Sequence, residues 1–253
     1  MSTNASSVPK WTAYSQPRAG ATLRLFCFPY AGGGASAYRG WDKDLPPQVE
    51  VCPVQYPGHE TRIAETLHTA MSSLVRAAAV GLRPLLDRPF ALFGHSMGAL
   101  VAFELTRALQ REGGPTPSRL FVSASRSPLL PYHTLLPFDL PTDEFTQRLR
   151  ELEGTPKEAL DSPELMEFIL PILRADCQMC DQYRLVDRSP LPCPITAYGG
   201  LDDIEGGTDA MAQWQGLSGP GFETRMFEGG HFYQQSRRDE LLATLGQALR
   251  RLT

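Results

Sequence analysis

The chain has 253 residues, 42% of them hydrophobic and 21% charged, with a formal net charge of −4. That is enough apolar chain for one sizeable core, and the acidic balance argues against nucleic acid as a partner. No stretch approaches the roughly 18 uninterrupted apolar residues of a membrane span, and the odd count of five cysteines fits reduced thiols in a cytoplasmic protein.

Residues 1–20 are rich in Ser, Pro and Ala and lack the apolar centre of a secretory leader, so they are expected to form a poorly ordered lead-in to one domain over 21–253. The first strand-like run is Leu23 to Phe28, and it opens into Pro29-Tyr30-Ala31-Gly32-Gly33-Gly34. A phosphate cradle would need GxGxxG spacing or a following Lys-Ser/Thr, and neither is present. A second strand-like run surrounds Val51, and Leu67, Met71, Leu74, Val75, Ala78 and Leu82 recur at helical spacing.

The most informative stretch follows. Pro89-Phe90-Ala91-Leu92-Phe93 is an apolar run leading into Gly94-His95-Ser96-Met97-Gly98, after which Leu100, Val101, Glu104, Leu105, Ala108 and Leu109 keep helical spacing up to Gly113-Gly114-Pro115. A serine on a tight strand-to-helix turn needs small neighbours, because strand and helix approach closely there, and Gly94 and Gly98 supply that room. A further strand surrounds Leu120. The segment from about Pro128 to Leu191 is too long for a simple connection and carries its own helical patterns, with a helix start at Asp161-Ser162-Pro163-Glu164 and an expected kink at Pro171. It reads as a helical lid, with Phe145, Leu165, Phe168 and Met179 as candidates to line a substrate channel. Strands near Ile195 and Thr224 and a helix over Leu241 to Leu252 complete the chain. Alternating strands and helices predict an α/β fold, a mainly parallel sheet with helices on both faces.

A nucleophilic serine needs a base. His95 adjoins Ser96 and should point away from it, His59 and His68 precede it, and His133 falls in a proline-rich stretch; His231 remains, just past a strand end at Gly229-Gly230. Its late position matches the chain order serine, acid, histidine. The acid belongs after the strand Pro194-Ile195-Thr196-Ala197-Tyr198, where Asp202 and Asp203 stand side by side. Asp202 is favoured and Asp203 is the alternative, since burying both charges together is costly and the other should face water or cap a helix. The backbone N–H groups of Met97 and Ala31 are the candidate oxyanion donors. Cys177-Gln178-Met179-Cys180 has metal or redox spacing, but it lacks a second pair and sits in a helical pattern, which favours core packing; no metal or cofactor is expected.

Taken together, Phe28-Pro29-Tyr30-Ala31-Gly32-Gly33 with Trp41, Gln55-Tyr56-Pro57-Gly58 with Arg62, Gly94-His95-Ser96-Met97-Gly98, Tyr198-Gly199-Gly200-Leu201-Asp202-Asp203 and Gly229-Gly230-His231-Phe232-Tyr233 resemble the type II thioesterases of the α/β-hydrolase superfamily. These are stand-alone editing hydrolases of polyketide and nonribosomal peptide synthases. The resemblance spans about Leu23 to Phe232 and departs at His59, where the family often carries Arg. It implies Ser96, Asp202 and His231 as triad and Ala31 and Met97 as oxyanion positions. It also implies a phosphopantetheine-bearing acyl or peptidyl carrier protein as partner and an acyl thioester as substrate; the acidic balance and the lack of a membrane-length apolar run predict no nucleic acid or membrane partner, and a monomer is expected. Carrier proteins of this kind are usually acidic, so lid arginines Arg148, Arg150, Arg174 and Arg184 are candidate docking residues. A small-molecule carboxylesterase would use the same parts, whereas a complete triad disfavours a catalytically silent binding protein.

Overall fold

The computed structural model describes residues 11–131, 136–152 and 154–253. Six strands, β1 (Leu23–Phe28), β2 (Val49–Pro53), β3 (Phe90–His95), β4 (Arg119–Ser123), β5 (Ile195–Gly200) and β6 (Glu223–Phe227), form one sheet in the order β2-β1-β3-β4-β5-β6. Every neighbouring pair is parallel. Strands β1, β2, β3 and β5 are buried along their whole length, as expected where helices cover both faces of a parallel sheet.

The helices of the described residues are α1 (Trp41–Asp44), α2 (Met71–Leu82), α3 (Met97–Arg111), α4 (Thr142–Glu151), α5 (Lys157–Leu160), α6 (Pro163–Asp181), α7 (Thr208–Ala212), α8 (Tyr233–Ser236) and α9 (Arg238–Arg250). Successive strand residues point to opposite faces, and the core divides accordingly. Phe26, Phe28, Leu92, Leu120, Val122 and Ile195 join the side chains of α2 and α3 on one face. Leu25, Cys27, Ala91, Phe93 and Phe121 join Leu241, Leu242 and Leu245 of α9 on the other.

The chain leaves β1 toward β2 on one side and returns to β3 on the other. The crevice beyond the carboxyl ends of β1 and β3 is therefore the switch point of the sheet, the place where α/β folds bind ligands. The Pro29–Gly34 loop and the Ser96 turn both emerge there.

Two local expectations change. The lead-in is structured from Trp11 onward: Thr12 bridges Val54, Ala13 N–H donates to Pro53 O at 3.0 Å, and Gln55 N–H donates to Trp11 O at 3.0 Å. Burial of the Trp11 indole supplies the apolar area that a Ser/Pro-rich composition conceals. Residues 1–10 lie outside the described residues. Helix α2 starts at Met71, so Leu67 belongs to the preceding loop. Helix α6 runs through Pro171 as one helical segment.

The connection from β4 to β5 carries α4, α5 and α6. Ser162 caps α6, its hydroxyl accepting from Leu165 N–H at 3.3 Å, with Pro163 in the first turn. Phe145, Leu149, Leu160, Met166, Leu173 and Cys177 form a hydrophobic cluster of their own, separate from the two sheet faces. No helix among the described residues is long and apolar enough to cross a membrane.

Candidate active site

Ser96 sits between β3 and α3 with φ of 54° and ψ of −120°, a backbone conformation that non-glycine residues rarely adopt. Its N–H donates to Ser123 O at 2.8 Å, which ties the turn to β4. The approach of strand and helix is close enough to require both flanking glycines. A Cβ on Gly94 would stand 2.1 Å from Gly98 O, and one on Gly98 would stand 2.0 Å from Phe28 O. The geometry is that of a nucleophile elbow: the hydroxyl is lifted out of the sheet into the crevice.

The Ser96 hydroxyl donates to His231 Nε2 at 2.9 Å across 135 residues of sequence. On the far side of the ring, Nδ1–H faces Asp203, 3.0 Å from Oδ2 and 3.2 Å from Oδ1. The acid beside His231 is thus Asp203 and not Asp202, which corrects the sequence reading. Asp202 is exposed, whereas the Asp203 side chain is almost fully buried. The cause is the turn after β5. Asp203 Oδ1 accepts from Glu205 N–H at 2.9 Å, an Asx turn that folds the carboxylate inward, and strand alternation says nothing about direction once the chain has left the strand. The Gly206-Gly207 pair downstream was the available signal, because a tight turn at Asp203 needs small residues behind it.

His95, next to the nucleophile, points into the fold as expected. Its Nδ1 and the Tyr233 hydroxyl both meet Ser123 Oγ, at 2.9 and 2.6 Å. Its ring lies 5.5 Å from that of His231. Burial, reinforced by the neighbouring His231, pushes its pKa well below the ordinary histidine value, so it is a neutral neighbour of the His231 ring.

Ser96, His231, Ala31 and Met97 line one cavity of about 500 Å³. Its apolar wall is built by Leu100 of α3 and by lid residues Leu136, Leu149, Leu152, Leu173 and Cys177. None of the four predicted channel residues is in that wall. Phe145 is buried inside the lid cluster with the Arg174 guanidinium 4.5 Å above its ring. Met179 packs into the core on the α2/α3 face, and Leu165 and Phe168 are exposed on the outer side of α6. The helical period is right, but the face of α6 that meets the cavity is set by how the lid docks. The Cys177 and Cys180 thiols border the same cavity, and burial raises both pKa values and holds them protonated.

The four lid arginines are engaged locally. Arg148 pairs with Glu151 at 3.5 Å and Arg150 with Asp161 at 2.7 Å. Arg174 donates to Phe138 O, and Arg184 donates to Asp181 O and Tyr183 O. Only Arg184 of the four borders the cavity.

A parallel α/β sheet with a serine elbow at its switch point, a histidine in hydrogen-bond contact and a buried carboxylate behind it defines a serine hydrolase of the α/β-hydrolase fold. The particular family is shown by comparison. Residues 23–249 match the thioesterase domain, and the chain belongs to the thioesterase family. It is 42% identical over 246 residues to a protein named linear gramicidin dehydrogenase LgrE from Brevibacillus parabrevis, covering 96% of this chain and 94% of that one. Among solved structures, it resembles the RedJ thioesterase of the prodiginine pathway in Streptomyces coelicolor at 38% identity, with a TM-score of 0.85 over 92% of this chain and 88% of the other. It also resembles the type II thioesterase BorB of the borrelidin biosynthetic cluster at 32% identity, with a TM-score of 0.83 over 95% and 96%. The chain is therefore a hydrolase acting on thioesters, with relatives among the type II thioesterases of polyketide and nonribosomal peptide pathways.

Proposed function

We propose that this enzyme removes stalled or aberrant acyl groups from the phosphopantetheine arm of acyl or peptidyl carrier proteins in a polyketide or nonribosomal peptide synthase. The observation that carries the reading is the continuous Ser96–His231–Asp203 hydrogen-bond relay opening into an apolar cavity under a helical lid. Ser96 Oγ attacks the acyl carbonyl as His231 takes its proton, and Asp203 holds the ring in the Nδ1–H tautomer and stabilises the imidazolium. The Ala31 and Met97 amides receive the oxyanion. The pantetheine thiol leaves with a proton from His231, and water activated by the same ring then hydrolyses the acyl-serine. A thioester suits this apparatus because its carbonyl has little resonance protection and the thiolate departs readily. The leucine-rich wall favours acyl chains with extended apolar portions.

The dehydrogenase name of LgrE raises a redox alternative, which this chain's first loop does not favour. After Gly32-Gly33-Gly34 the chain enters a four-residue 3₁₀ turn, Ala35–Tyr38, and not the long helix whose N-terminus holds a pyrophosphate in dinucleotide sites.

The test compares kcat/KM for one acyl group on a carrier protein, on free pantetheine and as a nitrophenyl ester, each at low and high salt. Carrier-bound thioester is expected to be cleaved fastest, with an advantage that shrinks as salt screens an acidic carrier. Equal rates on carrier and pantetheine at both ionic strengths would remove carrier recognition. Faster cleavage of short oxygen esters than of either thioester would favour a carboxylesterase.

A further inference from the structure

The Ala31–Gly32 loop is held from the lid side. Gly32 N–H donates to Asp176 Oδ2 at 2.8 Å, a contact across 144 residues between the loop after β1 and helix α6. One turn earlier on α6, Leu173 covers the same glycine so closely that a Cβ on Gly32 would stand 2.4 Å from Leu173 Cδ2, and Gly32 has φ of +74°. Asp176 Oδ2 also accepts from His59 Nε2 at 2.9 Å. Both side chains are buried, 4% and 2% exposed. The other nitrogen of His59, Nδ1, faces Pro57 O at 3.0 Å. A carbonyl oxygen and a carboxylate oxygen can only accept, so both ring nitrogens must carry protons, and the arrangement selects the imidazolium.

We propose that Asp176 and His59 are positioning residues for the oxyanion hole: the carboxylate on the lid helix, held by the His59 cation, fixes the Gly32 amide and with it the direction of the adjoining Ala31 N–H. The inference rests on the reading of Ala31 as an oxyanion donor. It makes α6 part of the catalytic apparatus as well as a cover, because moving the helix off the loop would break the Gly32–Asp176 bond and the Leu173 contact together. Preorganised donors contribute most when they need no rearrangement as charge develops, and a buried charge-assisted bond supplies that rigidity.

The groups facing the pair come from each packed element. Cys177 and Cys180 lie on α6 beside Asp176, with thiols kept protonated by burial. Tyr56, its ring 5.7 Å from His59, is kept neutral by burial, and Glu60 adds a negative charge from the same loop. Arg62 on that loop is paired with Glu65. Burial by itself lowers the His59 pKa, but the hydrogen bond and charge of Asp176, with Glu60 and the Pro57 carbonyl, outweigh it and leave the value above the ordinary one. The clamp is therefore charge-assisted at low pH and loses that charge as pH rises through the folded His59 pKa.

The experiment measures kcat, KM, the pH profile of kcat and thermal melting for the full chain and its D176N, H59Q and H59R variants, on an acyl-pantetheine thioester and a nitrophenyl ester. D176N and H59Q are expected to lower kcat roughly 10- to 100-fold with KM changed by less than about threefold. The unaltered enzyme should lose kcat on the alkaline side, and H59R, whose guanidinium stays charged, should move that limb to higher pH. A D176N enzyme that melts normally with kcat within about twofold of the parent overturns the proposal. So does an unchanged alkaline limb in H59R, which decides the matter if the other variants fail to fold, and so does a change confined to KM. Slow thioester cleavage by the parent would count against the proposed substrate, while the same ratios read on the nitrophenyl ester still judge the clamp.

Discussion

His231 Nδ1 stands 3.0 Å from Asp203 Oδ2, while the adjacent Asp202 is exposed. Two chemically identical neighbours thus stand in unlike surroundings, and substitution separates them. Asp203→Asn keeps the volume but presents the wrong partner to Nδ1–H, so kcat should fall about 10^3- to 10^4-fold, whereas Asp202→Asn should change it by no more than about threefold. Steady-state kinetics on folded variants reads the difference, and reversed losses would return the role to Asp202.

Ser96→Ala should abolish turnover, with a loss on the order of 10^4 to 10^6 in kcat, together with covalent labelling by a fluorophosphonate. The motive is the strained turn and the 2.9 Å contact to His231. Peptide mass spectrometry of the labelled parent should place the adduct on Ser96, and an adduct elsewhere would overturn the assignment.

The cavity wall predicts chain-length selectivity. Leu152→Trp fills space beside the lid and should shift preference toward shorter acyl chains, while Phe168→Ala, on the outer surface of α6, should leave the preference within about twofold of the parent. A series of acyl-pantetheines of increasing length measures this. A shift caused by Phe168 and not by Leu152 would relocate the channel.

Two buried histidines give stability opposite pH slopes. His95 has a depressed pKa, so below the ordinary value of 6.5 the unfolded chain takes up a proton that the folded one refuses, and stability falls with acidification through this group. His59 has a raised pKa, so its contribution is complete below 6.5 and is lost as pH rises through the folded value. Urea unfolding across pH should show His95→Gln flattening the acid slope and His59→Gln flattening the alkaline one. Parallel curves for parent and variants would contradict both assignments.

Gly98→Ala should destabilise the fold by roughly 1–3 kcal/mol or prevent folding, because the added methyl meets backbone oxygen of Phe28 and backbone cannot move aside cheaply. Denaturant midpoints test this, and a neutral result would mean that strand and helix stand farther apart than described.

Much of the molecule was legible in the order of its residues. Strand runs of buried β-formers, the glycine-flanked serine between an apolar run and a helical one, and a histidine just past a glycine pair are local patterns, and local backbone geometry is what residue spacing encodes. Those patterns led to the six parallel strands, to Ser96 and to the placement of His231. Three things were decided only in three dimensions. The inward turn of Asp203 depends on an Asx bond formed after the strand ends, so alternation along β5 could not assign it. The cavity wall depends on which side of α6 docks downward, and a helix with apolar residues on several sides leaves that choice to packing: Leu173 faces the site while Phe168 faces water. The Asp176–His59–Gly32 contact joins residues 117 and 144 positions apart, and no periodicity extends over such distances. Spacing fixes where a side chain leaves its own element; only the fold fixes which partner from another element stands opposite it.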